Sequence, residues 1–568
     1  MKGIFDARYH WKSALFLSIL TIAANIFGQT NPPDINAIYQ KAMSLYNQKD
    51  YKNSAAEFDK IHPKHSTELT NSNTFYNGAC IYALNSEKQK ALELLRIAVF
   101  DKFFSNLNRI TNDTDLVGLH NEPQWKTLID QVNENVRTLP ERNKGKAKAE
   151  LLKVKAILEQ DAGRLWGEEI WSDDYLIIDI DNTVYSLSPF PNSKTDDQGI
   201  YYLTLSPNTI GYSNSTQLYQ GKMYVTITAG DMFASPQTFI HELFHLLQNK
   251  NRRLSNEEIA YLDNYDAREL LRLEFQALRN CLNSINQNQD IKQSLIFLSD
   301  AMIYRKTRQH KYKDFLAKDT ELETSEGLAN YTGFVLSPYP MGKVQNRYER
   351  AVVEIEVAER EKTFVRRYAY ATGLSYALIF DYLRIDWKRG LKVVYNFLDI
   401  YEKTYLKQPL RITNTYTAAA DLRNNFAEIH EQEFDRNEKL KKRRAILNKE
   451  FIKNPTLSVT LKDQHYAQSQ AMDSITILPG AGPVFRVMSG WDINGKNFGS
   501  FKILSTNDES AGVLRILNGQ LYTFIFPTPF KIEGNKITGK YYEIVLLPNW
   551  IVRKKNRKGD YEIVQGLE

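Results

Sequence analysis

Residues 241–245 read His-Glu-Leu-Phe-His. Positions four apart share one face of a helix, so the imidazoles of His241 and His245 project side by side and can grip one metal ion. Glu242, beside the first histidine, reaches a water on that ion rather than the ion itself, which suits it to act as general base in metal-assisted hydrolysis. The flanking sequence supplies the elements that must position these groups. Ser235 and Pro236 form a helix start, a side-chain cap followed by the imino acid that suits the first turn. The alternating, β-branched run Met223–Thr228 before them reads as a strand. Two histidines that merely pack in an amphipathic helix would show the same spacing. The chain has only 9 His, and a pair at this spacing beside a glutamate on a capped helix favours the metal.

A hydrolytic zinc takes three protein ligands and keeps one position open. Two later segments offer the third. The helix-type stretch Asp266–Phe275 carries Glu269 and Glu274, and the stretch Glu321–Tyr331 carries Glu326. Spacing alone does not choose between them.

Glu326-Gly327-Leu328-Ala329-Asn330-Tyr331 resembles the Glu-Gly-x-Ala-x-Tyr segment of gluzincin zinc metallopeptidases of the aminopeptidase-N type. Tyr370-Ala371-Thr372-Gly373 resembles the Tyr-x-x-Gly stretch of the same family, and the three motifs follow in the family's order over about residues 220–390. The resemblance implies a peptide-bond hydrolase that uses Zn2+ held by His241, His245 and Glu326. It also implies Glu242 as base, Tyr370 as the group that steadies the oxyanion, and Met223–Thr228 as the strand that pairs with an extended peptide or protein substrate. With Glu326 as ligand, Glu274 is left to support one of the histidines. The chain departs from the family in three places. Roughly 80 residues separate His245 from Glu326, Thr372 stands where the family has lysine, and no Gly-x-Met-Glu-Asn-type motif lies upstream, so aminopeptidase specificity is not implied.

The rest of the chain reads as further modules. Lys2, Arg8 and Lys12, the apolar run Ser13–Phe27 and small Gly28 mark residues 1–28 as a signal peptide, with an uncleaved anchor as the alternative. This predicts an exported bacterial protein, periplasmic or extracellular, with no membrane span after cleavage. Met43–Ile61 aligns with Ala79–Ile97, with Tyr46 on Tyr82, Ala55 on Ala91 and Glu57 on Glu93. The match resembles tetratricopeptide repeats and implies helix pairs over 33–138, with a protein partner in their groove or else a plain helical bundle. Residues 142–155 read as a linker entering a helix at 148–160. A metallopeptidase domain is expected over 145–405, with two or three helices inserted at 254–318. A helical linker follows over 406–453, on which Lys439–Arg444 reads as a solvated basic face. From Thr456, short alternating runs separated by Gly and Asn predict a small all-β domain over 454–568, sandwich or barrel, with Arg553–Gly559 at a hairpin tip. The expected fold class is multidomain α+β.

Composition removes the competing classes. With 42% hydrophobic and 12% aromatic residues among 568, the chain can bury sizeable cores and is neither fibrous nor disordered. Two cysteines cannot build a disulfide framework or a Cys-based zinc cluster. Lys and Arg number 73 against 67 Asp and Glu, so no field of one sign marks a nucleic-acid binder. No phosphate-binding glycine loop and no nucleophile elbow is present in a strand-to-helix setting. Two function classes remain: an exported zinc metallopeptidase, and a non-catalytic extracytoplasmic binding protein that keeps the peptidase fold. Glu242 favours the first, because a dead descendant often loses its base.

Overall fold

The computed structural model describes residues 35–566 apart from 62–71, 180, 207–208, 231–235, 256, 258, 288–290, 338–345, 362, 463–465, 471–474, 493–497, 505–507 and 520. The expected signal peptide and the Ser235 cap lie outside the described residues. The chain is a mixed α+β protein and divides into two compact units between Asn143 and Lys144.

The first unit holds two successive helix pairs, Ile35–Asn47 with Tyr51–Phe58 and Ser72–Leu84 with Lys88–Arg96. Small residues set the approach within them. The Ser54 hydroxyl donates to the carbonyl of buried Ala42 at 2.8 Å. Gly78 lies so close to Phe58 that a Cβ would stand 2.4 Å from the ring. Leu116, Leu119, Leu128 and Val132 complete this core.

The helix Pro123–Asp161 corrects the expected linker, because it runs unbroken through residues 142–147 with Pro140 inside it. Arg142 reaches back past the proline and donates to the Asn135 carbonyl at 2.9 Å. Ala147, Leu151, Val154 and Leu158 then follow helical spacing into the core of the second unit.

That unit opens with a six-stranded sheet: β1 (Tyr175–Ile178), β2 (Thr183–Ser186), β3 (Lys194–Thr195), β4 (Tyr201–Thr204), β5 (Ser215–Tyr219) and β6 (Lys222–Thr228), in the order β3-β4-β2-β1-β6-β5. β6 pairs parallel with β1 and antiparallel with β5. The β5–β6 turn is two residues long, with Gln220 and Gly221 at φ 49° and 83°, the positive values such a hairpin requires. Both sides of β6 are thereby hydrogen-bonded. The expectation that Met223–Thr228 offers a free edge is corrected: the edge strand is β5.

The motif helix, Pro236–Asn251, follows β6 and buries Phe239, Ile240, Leu243 and Phe244 in the main core. The insertion folds as two long helices, Tyr265–Asn286 and Ile291–Lys311. Leu316–Leu322 then widens into a π-turn, Glu323–Gly327, and continues as Leu328–Leu336. Three glycines bring this segment to its neighbours. A Cβ on Gly327 would lie 2.7 Å from both Gly373 Cα and the Ala369 carbonyl of the helix Tyr368–Tyr382. A Cβ on Gly373 would lie 2.6 Å from Gly327 Cα, and one on Gly333 would lie 2.7 Å from the Gln237 carbonyl of the motif helix. The obstacles are backbone atoms, which do not yield as a side-chain tip does. Gly327→Ala is therefore expected to cost about 1–3 kcal/mol and to weaken metal retention by pushing Glu326 away. Denaturant unfolding with metal titration checks this, and unchanged values in both would contradict it.

Behind the π-turn lies a buried ionic layer. Arg305 donates to Glu274 at 2.8 Å and to both oxygens of Glu323 at 2.8 and 2.5 Å. Arg308 joins Glu274 at 3.1 Å to Asp319 at 2.8 Å, while Tyr376 and Tyr368 donate to Glu274 and Asp319. Thr372 donates to Glu323. These bonds fix the turn three residues from Glu326.

After the helix Phe426–Asn448 the chain forms a seven-stranded and a six-stranded sheet that share one core, with Phe501 of one at 5.0 Å from Phe524 of the other. The basic run corrects the expected solvated face in part. Arg443 bonds Thr476 and Glu509, and Arg444 donates to the Ile477 carbonyl, tying the helix to the sandwich. No helix among the described residues is long and apolar enough to cross a membrane.

Candidate metal centre

The motif helix and the π-turn bring three donors together. His245 Nε2 lies 3.0 Å from His241 Nε2, and Glu326 Oε2 lies 3.5 Å from the first imidazole and 3.4 Å from the second. Three donors bound about 2.0–2.1 Å from one tetrahedral ion stand about 3.3–3.4 Å apart, so this triangle has the size of a metal site. Glu326 Oε2 is buried and accepts no hydrogen bond. It faces both imidazoles at ion-pair distance, and a cation could take the place of the proton held between them. Two nitrogens and one carboxylate oxygen form a donor set suited to zinc.

Neighbours orient the donors. The Gln248 amide donates to the carbonyls of Thr324 at 2.8 Å and Ser325 at 3.3 Å, which turns its oxygen toward His245 Nδ1 at 3.0 Å. Nδ1 then holds its proton against Gln248, which leaves Nε2, facing His241 and Glu326, as the nitrogen that would give up its proton to an ion. Arg366 donates to the other Glu326 oxygen, Oε1, at 2.5 Å, leaving Oε2 for the ion. Burial would raise the Glu326 carboxyl, but the charge of His245, the facing imidazoles and Arg366 outweigh it and hold it well below the usual carboxylate range. Burial would lower His245, yet Glu326 pushes it up to about 9, so an ion entering here displaces a proton.

Glu242 shares the cleft. Burial raises its carboxyl, Glu326 adds to the rise, and the two imidazoles and Arg366 oppose it. Tyr370 stacks on His241 with ring centres 5.7 Å apart and planes within 4°. Burial and then the Glu326 charge keep its hydroxyl protonated. The cleft encloses about 560 Å³ between Asn214, Ser215 and Thr216 at the start of β5, the motif helix, and Arg366 with Tyr370.

Of the expected residues, His241, Glu242, His245, Glu326 and Tyr370 gather here. Glu269 does not, since its carboxylate bonds His430 at 2.6 Å and Tyr265 at 3.1 Å. Glu274 does not support a histidine either, because Arg305, Arg308 and Tyr376 occupy its oxygens. Gln248 and Arg366 were missed. Gln248 was readable as the i+3 neighbour of His245 on one helix face, whereas nothing local marks Arg366. If the three donors hold a metal ion, Gln248→Leu is expected to weaken its affinity by about 10–100-fold, measured by competition with a chelator. Unchanged affinity would mean that the Gln248 bond does not set the tautomer.

No family model matches the chain, and no solved structure matches it.

Proposed function

We propose that this chain is a gluzincin-like zinc metallopeptidase. One observation carries that reading: His241, His245 and Glu326 converge on one point, with Glu326 Oε2 buried between the two imidazoles at 3.5 and 3.4 Å. Zinc held there would make a water acidic enough to lose its proton near neutral pH and would polarise a peptide carbonyl. Glu242 takes the proton and passes it to the leaving amine. The Tyr370 hydroxyl, protonated and lining the same cleft, donates to the carbonyl oxygen as it becomes negative. β5, the open edge that borders the cleft, pairs with an extended substrate. In the same reading the helix pairs of the first unit are tetratricopeptide-like and take a protein partner. The basic and apolar start of the chain directs the protein out of the cytoplasm.

The test is a peptide library incubated with the zinc-loaded chain. Cleavage should appear, vanish with a chelator and return with zinc, and a zinc-loaded chain that cuts nothing would contradict the proposal. Tyr370→Phe should lower turnover by about 10²-fold with little change in KM, the usual cost of one lost oxyanion donor. Unchanged turnover would remove Tyr370 from the reaction.

A further inference from the structure

A second cavity, of about 710 Å³, lies between the helix Phe426–Asn448 and the sandwich, and the proposed hydrolysis does not use it. Seven Arg and Lys side chains line it against four Asp and Glu. The carboxylates are already shared out. Glu509 serves both Arg443 at 2.9 Å and Arg486 at 3.3 Å, and Asp263 serves Arg436 at 3.2 Å and Arg268 at 3.6 Å. Lys439 and Lys442 are exposed and have no ion-pair partner among the described residues. Part of the lining is apolar, from Leu440, Ile446 and Ile475.

Cations gathered in a partly enclosed space repel one another more strongly than on an open surface. Glu433, just outside the lining, also pairs Arg268 and Arg436, and Glu356 pairs Arg360, so the uncompensated charge is that of Lys439 and Lys442. A single carboxylate would answer one of these charges, whereas a phosphoryl group brings two charges and three oxygens to the two ammonium groups and the Arg486 fork beside them. We infer that this cavity binds a phosphoryl-bearing ligand. Its charged head sits among Lys439, Lys442 and Arg486, and its uncharged part lies on Leu440, Ile446 and Ile475. This site is independent of the metal centre.

The experiment is calorimetric titration of the full chain with inorganic pyrophosphate, with acetate at matched ionic strength as control. In parallel, the chain is sedimented with phosphatidylcholine vesicles with and without phosphatidic acid. Saturable binding of pyrophosphate and not acetate supports the site, and added retention by phosphatidic acid assigns the phosphoryl group to a lipid rather than a soluble ester. The double variant Lys439→Glu, Lys442→Glu changes only exposed side chains and should weaken binding by more than about tenfold at unchanged melting temperature, while Lys439→Arg, Lys442→Arg should keep it. Pyrophosphate binding no better than acetate, or equal in wild type and the glutamate double variant, would overturn the inference.

Discussion

Glu242→Gln should keep its zinc and lose about 10²–10⁴ of the wild-type turnover. The amide fills the same volume beside His241 and leaves the three donors of the site untouched, so metal content should not move. What it cannot do is accept a proton. The wild-type carboxyl is suited to that task because its neighbours pull in both directions: burial and Glu326 raise it, while the imidazoles and Arg366 lower it. A proton can therefore be taken and given back within one cycle. Zinc analysis and turnover measured on the same preparation check the prediction. Equal turnover by wild type and variant would remove Glu242 as the base, and loss of zinc would mean that it serves the site and not the reaction.

Glu326→Gln should lower zinc affinity by at least about a thousandfold, because a neutral amide oxygen replaces the one anionic donor of three. The substitution keeps the shape, and its one amide oxygen can accept from Arg366 when no ion is bound, so the fold should survive while metal and Arg366 compete for that oxygen. Stability supplies a second readout. Wild type should lose a few degrees of melting temperature when a chelator strips the metal, since a ligand held at 100 times its Kd contributes about 2.7 kcal/mol, while Glu326→Gln should not respond to the chelator. A variant that retains stoichiometric zinc, or that melts lower in chelator as wild type does, would show that the third ligand lies elsewhere.

The histidine pair was legible because it is local: His241 and His245 sit one helical turn apart, and the period of a helix is enough to place them together. Glu326 was not local. About 80 residues lie between, folded into two helices whose length carries no signal of where the chain returns. Its selection rested on the resemblance, and the physical reason for it is visible only in three dimensions. Gly327 and Gly373 touch backbone to backbone, and that contact sets Glu326 beside the histidines and Tyr370 beside Glu326. The misreadings have the same origin. β5 reads Ser-Thr-Gln-Leu-Tyr, too polar to announce a strand, yet as an edge strand it need bury little. The Lys-, Glu- and Ala-rich composition of residues 142–155 suggested a linker, but the buried row from Ala147 to Leu158 makes it helix. Arg443 and Arg444 looked solvated because the acceptors they bond, near Thr476 and Glu509, are contributed by a domain read separately.

The most direct test is metal analysis of the purified, zinc-loaded chain together with X-ray absorption at the zinc edge. The account predicts one zinc per chain, with nitrogen and oxygen donors at about 2.0–2.2 Å, two of them imidazoles, and no sulfur. It also predicts that His245→Ala abolishes the signal. No retained zinc at neutral pH, or a zinc signal that survives His245→Ala unchanged, would contradict it.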